Sequence, residues 1–79
     1  MGMSISLHTD VATDFTVKGH AAQNEFAGIY PVVQFEYREG HGGVQTITMY
    51  STREQLLELR DGIANAIRAY DNMKEKESQ

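Results

Sequence analysis

The chain has 79 residues, no cysteine and a formal net charge of −4. A domain this short buries only about 60% of the surface its unfolded chain exposes, and the composition supplies neither disulfides nor zinc thiolates to compensate. The charge argues against a nucleic-acid backbone as partner, and no apolar run approaches the roughly 18 residues that cross a membrane.

Met1-Gly2 ahead of a second methionine has the look of an expression scar before a start at Met3. No signal peptide is expected, and the absence of cysteine fits a reducing cytoplasm. Ser4 to Thr9 alternates polar and apolar, with Ile5 and Leu7 on one side and Ser4, Ser6 and His8 on the other, which predicts a first strand. Asp10 to Thr13 turns the chain. Asp14 to Lys18 alternates again and is either a second strand or an irregular segment tucking Phe15 inward.

Gly19 to Gly28 shows no strand period and is expected to be a loop or a single helical turn around Ala21 to Phe26. Long loops in small domains often carry function, so His20 and Asn24 become candidate ligand-binding residues. Ile29 to Arg38 is the clearest strand. Val33, Phe35 and Tyr37 make one face; Val32, Gln34, Glu36 and Arg38 make the other. Pro31 cannot donate to a ladder and marks a strand start or an edge position. Glu39-Gly40-His41-Gly42-Gly43 is a hairpin turn, and Val44 to Tyr50 returns antiparallel with Ile47 and Met49 inward and Thr46, Thr48 and Tyr50 outward.

The C-terminal third is one helix. Ser51 with Glu54, or Thr52 with Gln55, provides a capping box. Leu56, Leu59, Ile63, Ala66, Ile67, Tyr70 and Met73 then fall on an arc of roughly 120°, with Glu54, Glu58, Asp61, Asn65, Arg68 and Asn72 opposite. Arg60 lies on the core side, either snorkelling to water or pairing with a sheet carboxylate or an anionic ligand. Leu57 lies off the arc, as a surface leucine or part of a subunit contact. Lys74 to Gln79 has no apolar anchor and is expected to fray.

These elements predict one α+β domain, β-(β)-loop-β-β-α: a two-layer unit with an antiparallel sheet of three or four strands and the C-terminal helix packed across one face. Ile5, Leu7, Phe35, Ile47 and Met49 are expected to meet Leu56, Leu59, Ile63, Ile67 and Tyr70.

Catalytic and cofactor motifs are missing. His8, His20 and His41 lack metal-ligand spacing, and Gly40-His41-Gly42-Gly43 precedes a strand, so it is no phosphate loop. No Gly-x-Ser-x-Gly occurs, and no metal, cofactor or catalytic residue is assigned. The expected function is a non-enzymatic protein-interaction module, a small homodimeric regulator or inhibitor. Its size and character would suit an accessory protein of a phage or mobile element. Partners are a second copy or another protein. The candidate interaction residues are Leu57, Arg60, His8, Glu36, Thr46, Thr48 and Tyr50. The alternative is a small-ligand module for an anion or nucleotide, using the 19–28 loop with His20, Asn24 and Arg60.

Overall fold

A computed structural model describes residues 2–40 and 42–78. It shows an α+β chain: β1 (Ala12–Asn24), β2 (Gly28–Glu39) and β3 (Val44–Tyr50) form a three-stranded antiparallel sheet in the order β1-β2-β3, and α1 (Arg53–Glu77) follows.

The sheet is a meander that begins later than the sequence suggests. Residues 2–8 are not strand, and Thr9–Val11 is a 3-10 turn, so the strand expected over Ser4 to Thr9 is absent. Alternation marks a segment able to lie on a sheet, but a strand also needs a neighbour to bond. Ile5 is 82% exposed and finds no such neighbour. The second strand candidate, Asp14 to Lys18, does pair, as part of β1.

The largest correction concerns residues 19–28. Gly19 to Asn24 is not a loop; it is the second half of β1, with Gly19 opposite Val33, Ala21 opposite Pro31 and Ala22 opposite Tyr30. Gly and Ala have low strand propensity, and the long β2 overrides it. The turn itself is only Glu25-Phe26-Ala27. The Asn24 side-chain oxygen accepts hydrogen bonds from the backbone N–H of Phe26 and of Ala27, and Gly28 takes φ 71°, the left-handed conformation that closes a three-residue hairpin loop.

Two irregularities shape β1 and β2. Between Thr13 and Thr16 the register slips, so Asp14 and Phe15 together oppose Tyr37. Asp14 adopts φ 58°, which aspartate tolerates better than most residues. On the other side β3 pairs with β2 only from Val32 to Arg38. Pro31 lies one residue past the end of that ladder, so the donor it lacks is not missed.

The register sorts the side chains. Val17, Ala21, Ile29, Pro31, Val33, Phe35, Tyr37, Ile47 and Met49 share one face; Thr16, Lys18, His20, Tyr30, Val32, Gln34, Glu36, Thr46, Thr48 and Tyr50 share the other. The alternation expected for β2 and β3 therefore holds. The core is thin: among the described residues only Val32 (3% exposed) and Tyr37 (6%) are buried, one on each face.

Thr52, not Ser51, caps α1. Its hydroxyl accepts from the Gln55 backbone N–H at 3.1 Å, while the Gln55 side chain accepts from the Thr52 N–H at 3.0 Å. Thr52→Ala is expected to destabilise the chain by about 1 kcal/mol in denaturant unfolding, whereas Thr52→Ser keeps the acceptor and most of that stability.

The helix then departs from the expected two-layer packing. Leu56, Leu57 and Leu59 are half-buried, but every residue from Arg60 to Ser78 is exposed. Ile63, Ile67, Tyr70 and Met73 of the stripe are 51%, 57%, 62% and 72% exposed. The expected meeting of Ile63, Ile67 and Tyr70 with the sheet does not occur within one chain. Periodicity says that a face is to be buried, not what buries it. The stretch expected to fray is helical through Glu77, and the Ser78 hydroxyl donates to the Glu75 carbonyl at 3.0 Å.

Candidate functional site

Two kinds of surface stand out: the open apolar stripe of α1 and the polar face of the sheet. The stripe has a seven-residue repeat. Leu56, Ile63 and Tyr70 form one series and Leu59, Ala66 and Met73 a second, over three heptads, which is the seam pattern of packed helix pairs. Gly62 and Ala69 flank it and leave room for a close neighbour. Arg60, expected to pair with the sheet or an anion, instead places its guanidinium 3.1 Å from the carboxylate of Asp61, with both side chains well exposed. Such a pair contributes little to stability.

Leu57, a candidate contact residue, is half-buried at the start of α1 beside Leu56 and Leu59. The first turns are thus apolar on more than one side, which the stripe pattern alone does not convey.

On the polar face, Glu36 lies 3.6 Å from Lys18 of β1, and Asp14 at the bulge lies 3.9 Å from Arg38. Both pairs are exposed, and the signs balance locally. Thr46 and Thr48 are exposed on β3 opposite Glu36 and Gln34. Tyr50 is 73% exposed, and its ring centroid is 6.4 Å from that of Tyr30, tilted by 56°. Between Tyr50 and His20, on the middle strand, sits the buried Val32.

Tyr30 and Tyr50 also border an open cleft of about 410 Å³ at the junction of hairpin and helix, with Asn24, Ala27, Ser51, Thr52 and Gln55. None of these residues carries a charge. Thr52 and Gln55 are engaged in the cap, and Asn24 holds the hairpin turn. The cleft therefore offers an apolar ring pair with few free polar groups, and no acid or base to move a proton.

The ligand constellation expected from the sequence is not assembled there. Of His20, Asn24 and Arg60, only Asn24 lines the cleft, and its oxygen is committed to the turn. His8 is exposed ahead of the 3-10 turn, and His41 lies outside the described residues. Among the described residues no three His, Cys, Asp or Glu side chains gather at metal-binding spacing, and no helix is long and apolar enough to cross a membrane.

Sequence reasoning missed two features. The Asn24 to Gly28 turn was signalled by those residues, at the right spacing for a hairpin, but the small residues before it masked the strand. The Tyr30–Tyr50 pair depends on the β2–β3 register and has no local sequence signal. Comparison with family models, curated proteins and solved structures finds no match to this chain.

Proposed function

We propose that the chain is a non-enzymatic protein-interaction module that works as a homodimer, a small cytoplasmic regulator or inhibitor. The observation that carries this is the uncovered stripe of α1: a helix with Ile63, Ile67, Tyr70 and Met73 on one side, all more than half exposed. Apolar area of this kind in a folded chain marks a contact with another molecule.

The size of the molecule's surface supports the reading. The chain exposes 6965 Å². A folded monomer of its mass exposes about 4,800 Å², so the excess is about 2,200 Å². A stable protein interface takes about 800 Å² from each partner, and obligate dimers take more. The radius of gyration, 16.2 Å, likewise exceeds the roughly 11.6 Å of a compact chain of this length. Both values suit a chain that completes its packing with a second copy. A dimer formed this way leaves the polar sheet face, with Glu36, Thr46, Thr48 and Tyr50, for a protein target. The net charge of −4 speaks for a protein and against a nucleic acid there.

Light scattering on the purified chain tests the dimer. The expected mass is twice 8.9 kDa, with a melting temperature that rises with protein concentration. A mass of one chain across the whole accessible concentration range would remove the homodimer.

A further inference from the structure

We propose that the two chains join through β3, whose outer edges pair antiparallel about Ile47 to make one continuous six-stranded sheet. This rests on the homodimer reading and adds the joint, its register and its symmetry.

The two edges of the sheet are built differently. The β1 edge carries Asp14 and Lys18 and a bulge between Thr13 and Thr16. Charges and bulges are the devices that keep a sheet edge from accepting another strand. The β3 edge has none of them. Val44-Gln45-Thr46-Ile47-Thr48-Met49-Tyr50 contains no charge and no proline, and it holds an unbroken register with β2. Among the described residues, β3 pairs only with β2, so its outer row of backbone groups is open. An uncharged, regular, open edge is a template for strand addition.

The strand that fits it is its own copy. With Ile47 of each chain facing the other across a two-fold axis, Thr46 meets Thr48, Gln45 meets Met49 and Val44 meets Tyr50, each twice. Hydroxyl lies against hydroxyl, branched apolar side chains lie against apolar ones, and no like charges oppose each other. All seven residues find partners, and no other antiparallel register achieves that.

The axis stands perpendicular to the sheet, so like faces continue across the joint. The apolar surface of Val33, Phe35, Ile47 and Met49 in one chain runs on into that of the other. The start of α1 stands at the end of the sheet and borders both faces: Arg53 and Leu56 line a shallow cleft with Ala21, Ile29, Tyr30 and Pro31, and Thr52 and Gln55 line another with Tyr30 and Tyr50.

Paired charge variants on the exposed side of β3 test the joint. T46K/T48K places like charges opposite each other at both Thr46–Thr48 pairs, on a face where each chain alone is solvated. The dissociation constant is expected to rise at least about tenfold, with the circular dichroism of each chain kept. T46E/T48E is expected to weaken the dimer as strongly, and an equal mixture of the two to form mixed dimers in preference to either homodimer, seen by native mass spectrometry. In the unmodified protein, exchange of the outward β3 amides is expected to slow as concentration rises through the dissociation constant. Variants that dimerise as tightly as the parent, or β3 amides that exchange freely in the dimer, overturn the β3 joint and leave the homodimer standing. A parent chain that stays a monomer removes both.

Discussion

Ile63→Asp combined with Ile67→Asp is expected to convert the dimer to single chains at concentrations where the parent is fully paired. The two side chains are about half exposed in the isolated chain, at 51% and 57%, so roughly half of each remains to be buried by a partner. Full burial of an isoleucine contributes about 1.5–3 kcal/mol, and four half-exposed side chains across a two-fold interface therefore represent about 3–6 kcal/mol. At about 1.4 kcal/mol per decade, the dissociation constant rises by about two to four orders of magnitude before the cost of placing carboxylates at the contact is added. The helix itself should largely persist. Both positions are solvent-facing in the single chain, α1 is 25 residues long, and its start is held by the Thr52–Gln55 cap. The discriminating control is Glu58→Ala with Asn65→Ala on the opposite side of α1, which should leave the mass unchanged. Loss of dimer in the control, or a dimer surviving both aspartates, would move the interface off the stripe.

That experiment also separates what was legible in the sequence from what was not. Val44 to Tyr50 and Ile29 to Arg38 announced themselves by alternation, and the glycine-rich turn between them fixed their antiparallel pairing. The helix was marked by its cap and by a period that persists from Leu56 to Met73. Those signals are local, and the structure follows them. Gly19 to Asn24 carried the opposite local signal, because Gly19, Ala21 and Ala22 favour no strand. They are strand because β2 extends past Val32 and presents Ile29, Tyr30 and Pro31 as a ladder to pair with. Ser4 to Leu7 had the right alternation and no ladder to join. In both cases pairing, which is non-local, decided against propensity. The candidate site divides in the same way. That Ile63, Ile67 and Tyr70 form a face was plain. That the sheet of the same chain does not cover it could be learned only from the structure, since an apolar stripe is identical in sequence whether its cover comes from its own chain or another. Asn24 shows the converse: it suits a ligand by chemistry, but its side-chain oxygen is held by the hairpin turn.

Tyr37→Ala is expected to be the most damaging single substitution within the sheet. Tyr37 is 6% exposed and stands opposite the Asp14–Phe15 bulge, where Leu7, Thr9, Phe15 and Phe35 surround a depression of about 190 Å³ beside it. The bulge puts two β1 residues against this one, so the ring fills space that a regular ladder would not leave. Removing a buried aromatic ring costs about 3–5 kcal/mol. A chain of 79 residues has only about 4–12 kcal/mol of stability in all, and here few other buried side chains share the load. The expected result is a fall in melting temperature of at least about 12 °C, or loss of the cooperative transition. Tyr37→Phe keeps the ring and should stay within about 1.5 kcal/mol of the parent. Because Tyr37 lies on β2, away from the exposed end of α1, a second consequence follows. Tyr37→Ala should lower the denaturant midpoint of the dimer by destabilising each chain, whereas the stripe variants act on association and flatten its concentration dependence. If Tyr37→Ala instead left unfolding unchanged, the fold of each chain would have to be held by the interface alone, with the sheet ordered only once two chains had met.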